Sequence, residues 1–334
     1  MPPGSPGQNP APRILFVSAF LTPFIQNDLD VLQRRYPLIT LIGHGPRQIV
    51  PIVKSVFRSD IVFCWFASVY ASLAVLTASV LGKRSVIVIG GVDVAKEPQW
   101  NYGIFLSPWK GLLVRTALRR ATVVLAVDGS LRDEAKRRAN YPGQNIRVLP
   151  TGYDAHFWTP SGRKTPGVLT VAVVHDEARA RLKGVDTLVG VARSMPRTRF
   201  TLIGVKPDVV SLFHPPQNLS CIEPMPRTDL LKYYRKARVY VQPSRREGLP
   251  NTLCEAMLCG CIPVASRVGG VPRAVGTSGK LVIPESVEDF VSAIQEALRM
   301  KPSAGIKARE RIADLFPSTR RTNELVQLIG ELSP

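Results

Sequence analysis

Short apolar runs alternating with helical stretches constrain this chain more than any other feature of its sequence. In the first half the runs fall at 14–19, 38–43, 61–66, 86–89, 122–127 and 146–149. Helical candidates lie between them, near 26–36, 48–57, 68–82, 107–120 and 129–139. Strands this continuously apolar must be covered on both faces, and regular strand–helix alternation does that in a parallel sheet flanked by helices. Around 152–166 the composition shifts to Gly, Pro and Thr, which reads as a linker. A second series follows, with runs at 168–174, 200–204, 219–222, 239–242, 262–265 and 281–283. Helices are expected near 184–194, 227–237, 252–260 and 286–300, with two more between 303 and 332. The pattern predicts an α/β protein of two doubly wound parallel-sheet domains facing a cleft. Its parts are a flexible tail at 1–12, an N-terminal domain at 13–155, a linker at 156–166 and a C-terminal domain at 167–334. In such sheets ligands bind beyond the carboxyl ends of the strands.

Residues 61–82 carry no charge and are numerous enough to cross a bilayer. Their first six favour strand, the rest mix Ser and Thr into a helical pattern, and 86–89 reads as another strand. Strand, buried helix and strand account for the run without lipid. The N-terminus is rich in Pro and Gly with no apolar core, so it reads as a tail rather than a signal peptide. The five cysteines, Cys64, Cys221, Cys254, Cys259 and Cys261, form no C-x-x-C pair and sit mostly in apolar runs. That suits reduced thiols of a cytoplasmic protein. The trio at 254, 259 and 261 lacks a fourth ligand at zinc-site spacing, and no metal is expected.

Lys+Arg number 44 against 25 Asp+Glu, a formal net charge of +19. An excess of this size points to an anionic partner: nucleic acid, anionic lipid or a phosphorylated substrate. A nucleic-acid binder would interleave aromatic with basic residues or carry a reading module. Aromatics make up only 7% and no such module is present, so no nucleic-acid partner is expected. A nicotinamide dehydrogenase would place G-x-G-x-x-G after an early strand. The first strand–helix loop, SAFLTPFIQND, contains no glycine.

The chemistry concentrates in residues 239–266, VYVQPSRREGLPNTLCEAMLCGCIPVAS, which read strand, loop, helix, strand. Asn251 is the expected N-cap of that helix, whose free N–H groups and dipole attract phosphate. Arg245 and Arg246 add positive charge nearby. From Gly248 to Ser266, Glu255 is the only charged side chain. A carboxylate on so apolar a helix needs hydrogen-bond donors. A bound ligand or a structural arginine would supply them. Glu247 lies in the loop before the helix and is placed to face the same ligand.

The stretch PSRREGLPNTLCEAMLCGCIPVAS resembles the donor-site motif of the retaining glycosyltransferases of family 4. Weaker similarity runs over 13–330, through NIRVLPTGYDAHFW, LKGVDTL at 182–188, FTLIG at 200–204 and VGGVP at 268–272. The resemblance implies a GT-B architecture: two Rossmann-like domains, with nucleotide-sugar held mainly by the second and C-terminal helices returning towards the first. It further implies that Glu255 meets the donor ribose and that Glu247 contacts the sugar near the reacting centre. Gly248, Leu249, Pro250, Asn251 and Thr252 would read sugar and phosphate. Lys183, before Gly184, would bind the diphosphate, together with either Arg179 or Arg181. The donor would be a UDP- or GDP-sugar and the acceptor a glycan or lipid-linked molecule, with neither cofactor nor metal. Charge developing on the departing diphosphate would be met by fixed cations and helix N–H groups.

The N-terminal half departs from the family pattern. The Gly-Gly pair usual in its first loop is missing, and no histidine stands clearly near an acceptor. IGGVDVAKEPQW at 89–100 offers Gly90, Gly91 and Asp93 at the end of a strand. Asp93 is expected in acceptor binding or as the base, with a turn-forming aspartate as the alternative. His44 is a further acceptor-side candidate against a surface role. A non-catalytic sugar-nucleotide-binding relative is the alternative to an enzyme. KGLLVRTALRR at 110–120 has four cations and no acid. It reads equally as a helix for an anionic membrane at the inner face and as one packing its stripe on the sheet.

Overall fold

The structure, a computed structural model, describes residues 11–333. The expected tail at 1–12 therefore falls, over residues 1–10, outside the described residues. The chain divides into two compact units. Of the described residues, 11–96, 103–149 and 322–333 form the first, and 97–102 with 150–321 form the second.

The first unit runs β1 (Ile14–Ser18), α1 (Pro23–Gln33), β2 (Leu38–Ile42), α2 (Ile49–Phe57), β3 (Ile61–Trp65) and α3 (Val69–Val80). It continues with β4 (Arg84–Ile89), α4 (Pro108–Arg120), β5 (Val123–Ala126), α5 (Gly129–Ala139) and β6 (Ile146–Val148). Its strands form one parallel sheet in the order β2-β1-β3-β4-β5-β6. Every residue of β1, β3 and β5 is buried, which is why they read as unbroken apolar runs. The uncharged stretch 61–82 resolves into β3 and α3, whose start is capped by Ser68 Oγ accepting from the Ala71 N–H at 3.1 Å. Among the described residues no helix is long and apolar enough to cross a membrane.

The second unit runs β7 (Thr165–Val174), α6 (Glu177–Leu182), α7 (Val185–Ser194), β8 (Arg199–Val205), α8 (Pro207–Ser211) and β9 (Leu219–Ile222). Then come α9 (Arg227–Lys236), β10 (Ala237–Gln242), α10 (Asn251–Leu258), β11 (Ile262–Ser266), α11 (Val271–Val275) and β12 (Lys280–Val282). Three helices close the chain: α12 (Val287–Arg299), α13 (Ser303–Leu315) and α14 (Ser318–Leu332). The parallel sheet has the order β12-β11-β10-β7-β8-β9. Its strand order reverses between β7 and β10, and residues beyond the carboxyl ends of those two strands are the ones a doubly wound sheet offers to ligands. Residues 156–166, expected as a linker, pack within this unit: Trp158 is fully buried and its carbonyl accepts from Arg309 Nη1 at 2.6 Å.

Two of the four cations of α4 are spent on backbone. Arg115 Nε donates to the Arg138 carbonyl at 3.0 Å, and Arg119 donates to the Ala139 and Asn140 carbonyls at 2.8 Å each. These are the last carbonyls of α5, where a cation meets the negative end of the helix dipole. Val114, Ala117 and Leu118 pack inward while Trp109 and Leu112 stay exposed.

Candidate functional site

The loops after β7 and β10 are stitched together by backbone. Arg245 N–H donates to the Leu182 carbonyl at 2.9 Å. Gly184, at φ +72°, lets that loop lie so close that a Cβ would stand 2.1 Å from the Pro243 oxygen. This contact places Lys183 Nζ 2.6 Å from Glu247 Oε1. Gln242 Nε2 holds the same carboxylate oxygen at 3.0 Å and Ser244 Oγ at 2.8 Å. Tyr240 Oη and Thr252 Oγ1 in turn donate to Gln242 Oε1 at 3.1 and 3.4 Å, fixing the amide. From the other side Gly270 N–H donates to the Gly248 carbonyl at 2.7 Å. Gly269, at φ +49°, leaves no room for a side chain, since its Cβ would lie 1.9 Å from the Glu247 oxygen.

Glu247 and Gly248 thus lead into α10, with Leu249 buried and Pro250 in the N-cap position. Asn251 is the first helical residue, and no side chain caps the helix. The expected Asn251 cap is corrected on that point. Its Oδ1 instead accepts from Tyr153 Oη at 2.9 Å and from Thr151 Oγ1 at 3.2 Å. The N–H groups of a first turn have no acceptor inside the helix, so this end is suited to an anion.

Glu255, one turn further along α10, is 6% exposed. Arg227 donates from Nε and Nη2 to Oε1, both at 3.0 Å, and Tyr234 Oη donates to Oε2 at 3.3 Å. Burial pushes the carboxyl up to about 7, with Arg227 and Tyr234 pulling the other way. A carboxylate accepts about four hydrogen bonds. The structural arginine allowed for in the sequence is therefore present, and Oε2 keeps capacity for one more donor.

The expected cations divide. Arg181 pairs with Glu177 at 2.8 Å and stands 3.7 Å from Asp186. Arg179 makes no ion pair among the described residues and lies over the Tyr102 ring, 4.7 Å from its centroid. Arg245 is held bidentately by Asp186, at 2.8 Å for each bond, and by Glu285 at 2.5 Å. Arg246 pairs with Glu97 at 2.7 Å. The two arginines expected to add positive charge beside the helix are tied into ion pairs.

On the first unit Asp93 is 1% exposed. Its carboxylate accepts from the N–H groups of Gly91 at 2.7 Å, Ala67 at 3.1 Å and Gly90 at 3.2 Å. Burial raises its pKa against the pull of those N–H groups. These are the contacts of a turn-forming aspartate, the alternative weighed for it, and its burial argues against the base role expected of it. Gly90 packs on Phe66, where a Cβ would lie 2.5 Å from the ring, and Gly91 has φ +139°. His44 is exposed after β2.

Sequence reasoning missed Gln242, Arg227 and Tyr234. Gln242 had a signal, a polar residue closing an apolar strand two places before a turn. Arg227 and Tyr234 had none, since only the packing of α9 on α10 brings them to Glu255.

Two family descriptions match the chain: "Glycosyltransferase Family 4" over residues 17–157 and "Glycosyl transferases group 1" over residues 166–300. A D-inositol 3-phosphate glycosyltransferase of Mycolicibacterium smegmatis is 30% identical over 196 residues, 53% of this chain and 45% of that one. The chain therefore spans less than half of that relative's length. The alpha-maltose-1-phosphate synthase of the same organism is 27% identical over 274 residues, covering 71% of this chain and 70% of the relative. In fold, the chain is similar to sucrose-phosphate synthase from Thermosynechococcus elongatus, with TM-score 0.77, 17% identity and coverage of 96% and 99%. The Anabaena protein Alr3699/HepE gives TM-score 0.77 at 13% identity, with coverage of 96% and 100%. With the two halves of the chain each matched in turn and both sheets of GT-B type, the chain belongs to the family-4 type of glycosyltransferases.

Proposed function

We propose that the chain is a retaining glycosyltransferase moving a hexose-type sugar from a UDP- or GDP-sugar to a glycan or lipid-linked acceptor, without a bound metal. The observation that carries this reading is the Lys183–Glu247 pair before the uncapped start of α10, with Glu255 on the same helix. Alr3699/HepE was solved in complex with UDP and with UDP-glucose, which supports a nucleotide-sugar donor.

In this reading Lys183 and the first turn of α10 take the diphosphate, and Glu255 Oε2 accepts from a ribose hydroxyl. Arg179 joins Lys183, since Arg181 is already paired with acids. Glu247 turns to the sugar, with the backbone of Gly248–Thr252 beside it. The sugar C1–O bond to the diphosphate breaks as the acceptor oxygen attacks from the same face, and the acceptor proton passes to the departing phosphate oxygen. Negative charge grows on that phosphate, and fixed cations and N–H groups lower the barrier by meeting it. Gly90, Gly91 and exposed His44 serve the acceptor.

The enzyme would work in the cytoplasm, peripherally at the inner face of the membrane. Exposed Trp109, Lys110 and Leu112 at the start of α4 support that placement. Calorimetry with UDP- and GDP-sugars, paired with nucleotide release, tests the proposal. It fails if no nucleotide-sugar binds, or if Glu255→Ala binds the donor as well as wild type. Binding without turnover against any acceptor would instead assign a non-catalytic binder.

A further inference from the structure

A second concave site lies in the same unit, at the end of the sheet where β7, β10 and β11 begin. It is a cavity of about 340 Å³ lined by Arg163, Lys164, Arg238 and Arg309 among apolar Pro160, Ile262, Pro302 and Ile306, with no acidic residue in its lining. That volume is at the lower end of small-molecule sites.

The four cations are not equivalent. Lys164 Nζ donates to the Tyr234 and Ala237 carbonyls at 2.8 and 2.9 Å. Arg309 donates to the Ala155, Trp158 and Leu258 carbonyls at 2.6–2.7 Å. Those carbonyls hold the two side chains in place but do not neutralise them. Arg163 is exposed and makes no ion pair among the described residues. Arg238 donates to the Met300 carbonyl, yet its Nε is out of solvent with no partner. Its charge is paired with no acid among the described residues. The first turn of α13 also lines the cavity, and no side chain caps it. Its dipole adds to the attraction for an anion.

We propose that this cavity is a second anion site, taking a phosphomonoester whose organic body is about the size of a hexose. The phosphate would meet the exposed Arg163, with Arg238, Lys164 and Arg309 supplying field, while the body rests on Pro160, Pro302 and Ile306. The proposal does not depend on the donor site, whose residues lie beyond the opposite ends of the strands.

Calorimetric titration of the full chain with glucose 6-phosphate, inorganic phosphate and glucose tests it, using wild type, Arg163→Glu, Ile306→Glu and Lys183→Ala. Both lining substitutions fall on exposed side chains, so the fold survives them. The expected result is binding of glucose 6-phosphate that weakens about tenfold in Arg163→Glu. It weakens measurably in Ile306→Glu and is unchanged in Lys183→Ala. No heat with glucose 6-phosphate overturns the proposal, as does glucose or inorganic phosphate binding equally well. Binding lost in Lys183→Ala but kept in Arg163→Glu overturns it too, by assigning the ligand to the donor site.

Discussion

Lys183 Nζ and Glu247 Oε1 lie 2.6 Å apart although 64 residues separate them in the chain. Gln242 holds the same oxygen at 3.0 Å, so Glu247 keeps a neutral donor when the lysine is lost. Lys183→Ala is predicted to lower turnover by about 10²–10³-fold, the usual effect of removing one group that meets developing charge. Lys183→Arg should keep the melting temperature nearer wild type than it keeps activity, because the longer, planar head displaces the pair. Nucleotide release and thermal melts on both variants check this.

With Glu255 in its proposed role, donor binding is predicted to depend on pH. Its carboxyl is raised to about 7, burial being the largest cause. The ionised form is the stronger acceptor for a ribose hydroxyl. The ionised fraction rises from about a tenth at pH 6 to about nine tenths at pH 8, so affinity should rise about tenfold over that interval and level off above it. A nucleotide-sugar, which has no group titrating near pH 7, is the right probe. Glu255→Gln should bind more weakly and with a flat profile.

How far this fold was legible depends on what each residue answers to. β3, IVFCW, is buried at every position, and a strand covered on both faces announces itself in sequence. The charge did not announce its use. Lys83, Arg193, Arg309 and Arg311 all donate to carbonyls of the chain itself, as Arg115 and Arg119 do. Composition counts a cation without its partner, and much of the +19 is internal clamp. Glu255 stood out as the lone charge on an apolar helix, whereas Arg227 reaches it only through tertiary packing. Asn251 obeyed no local rule, because Tyr153 and Thr151, 98 and 100 residues away, claim its oxygen.

Gly269 tests whether the site is held by close backbone approach. A Cβ there would meet the Glu247 carbonyl oxygen at 1.9 Å, at a φ of +49° that L-residues rarely adopt. Gly269→Ala must push the Glu247–Gly248 segment away, breaking the Gly270-to-Gly248 hydrogen bond of 2.7 Å. The expected loss is about 1–3 kcal/mol of stability together with weaker donor binding. Denaturant titration and calorimetry on the same variant measure the two effects, and a variant indistinguishable from wild type in both would contradict this close packing.

Asp93 separates a positioning role from a catalytic one. Its oxygens accept from Ala67, Gly90 and Gly91, and it is shielded from solvent. Asp93→Asn keeps the shape but turns an amide NH₂ towards backbone N–H groups, setting donor against donor. That should cost about 1–3 kcal/mol and lower the melting temperature. Removal of a general base would instead cost about 10²–10⁴ in turnover with the fold intact. The structure predicts the first outcome: a clear fall in thermal stability, with kcat of the folded protein within about threefold of wild type. A large kcat loss at unchanged melting temperature would restore Asp93 as the base.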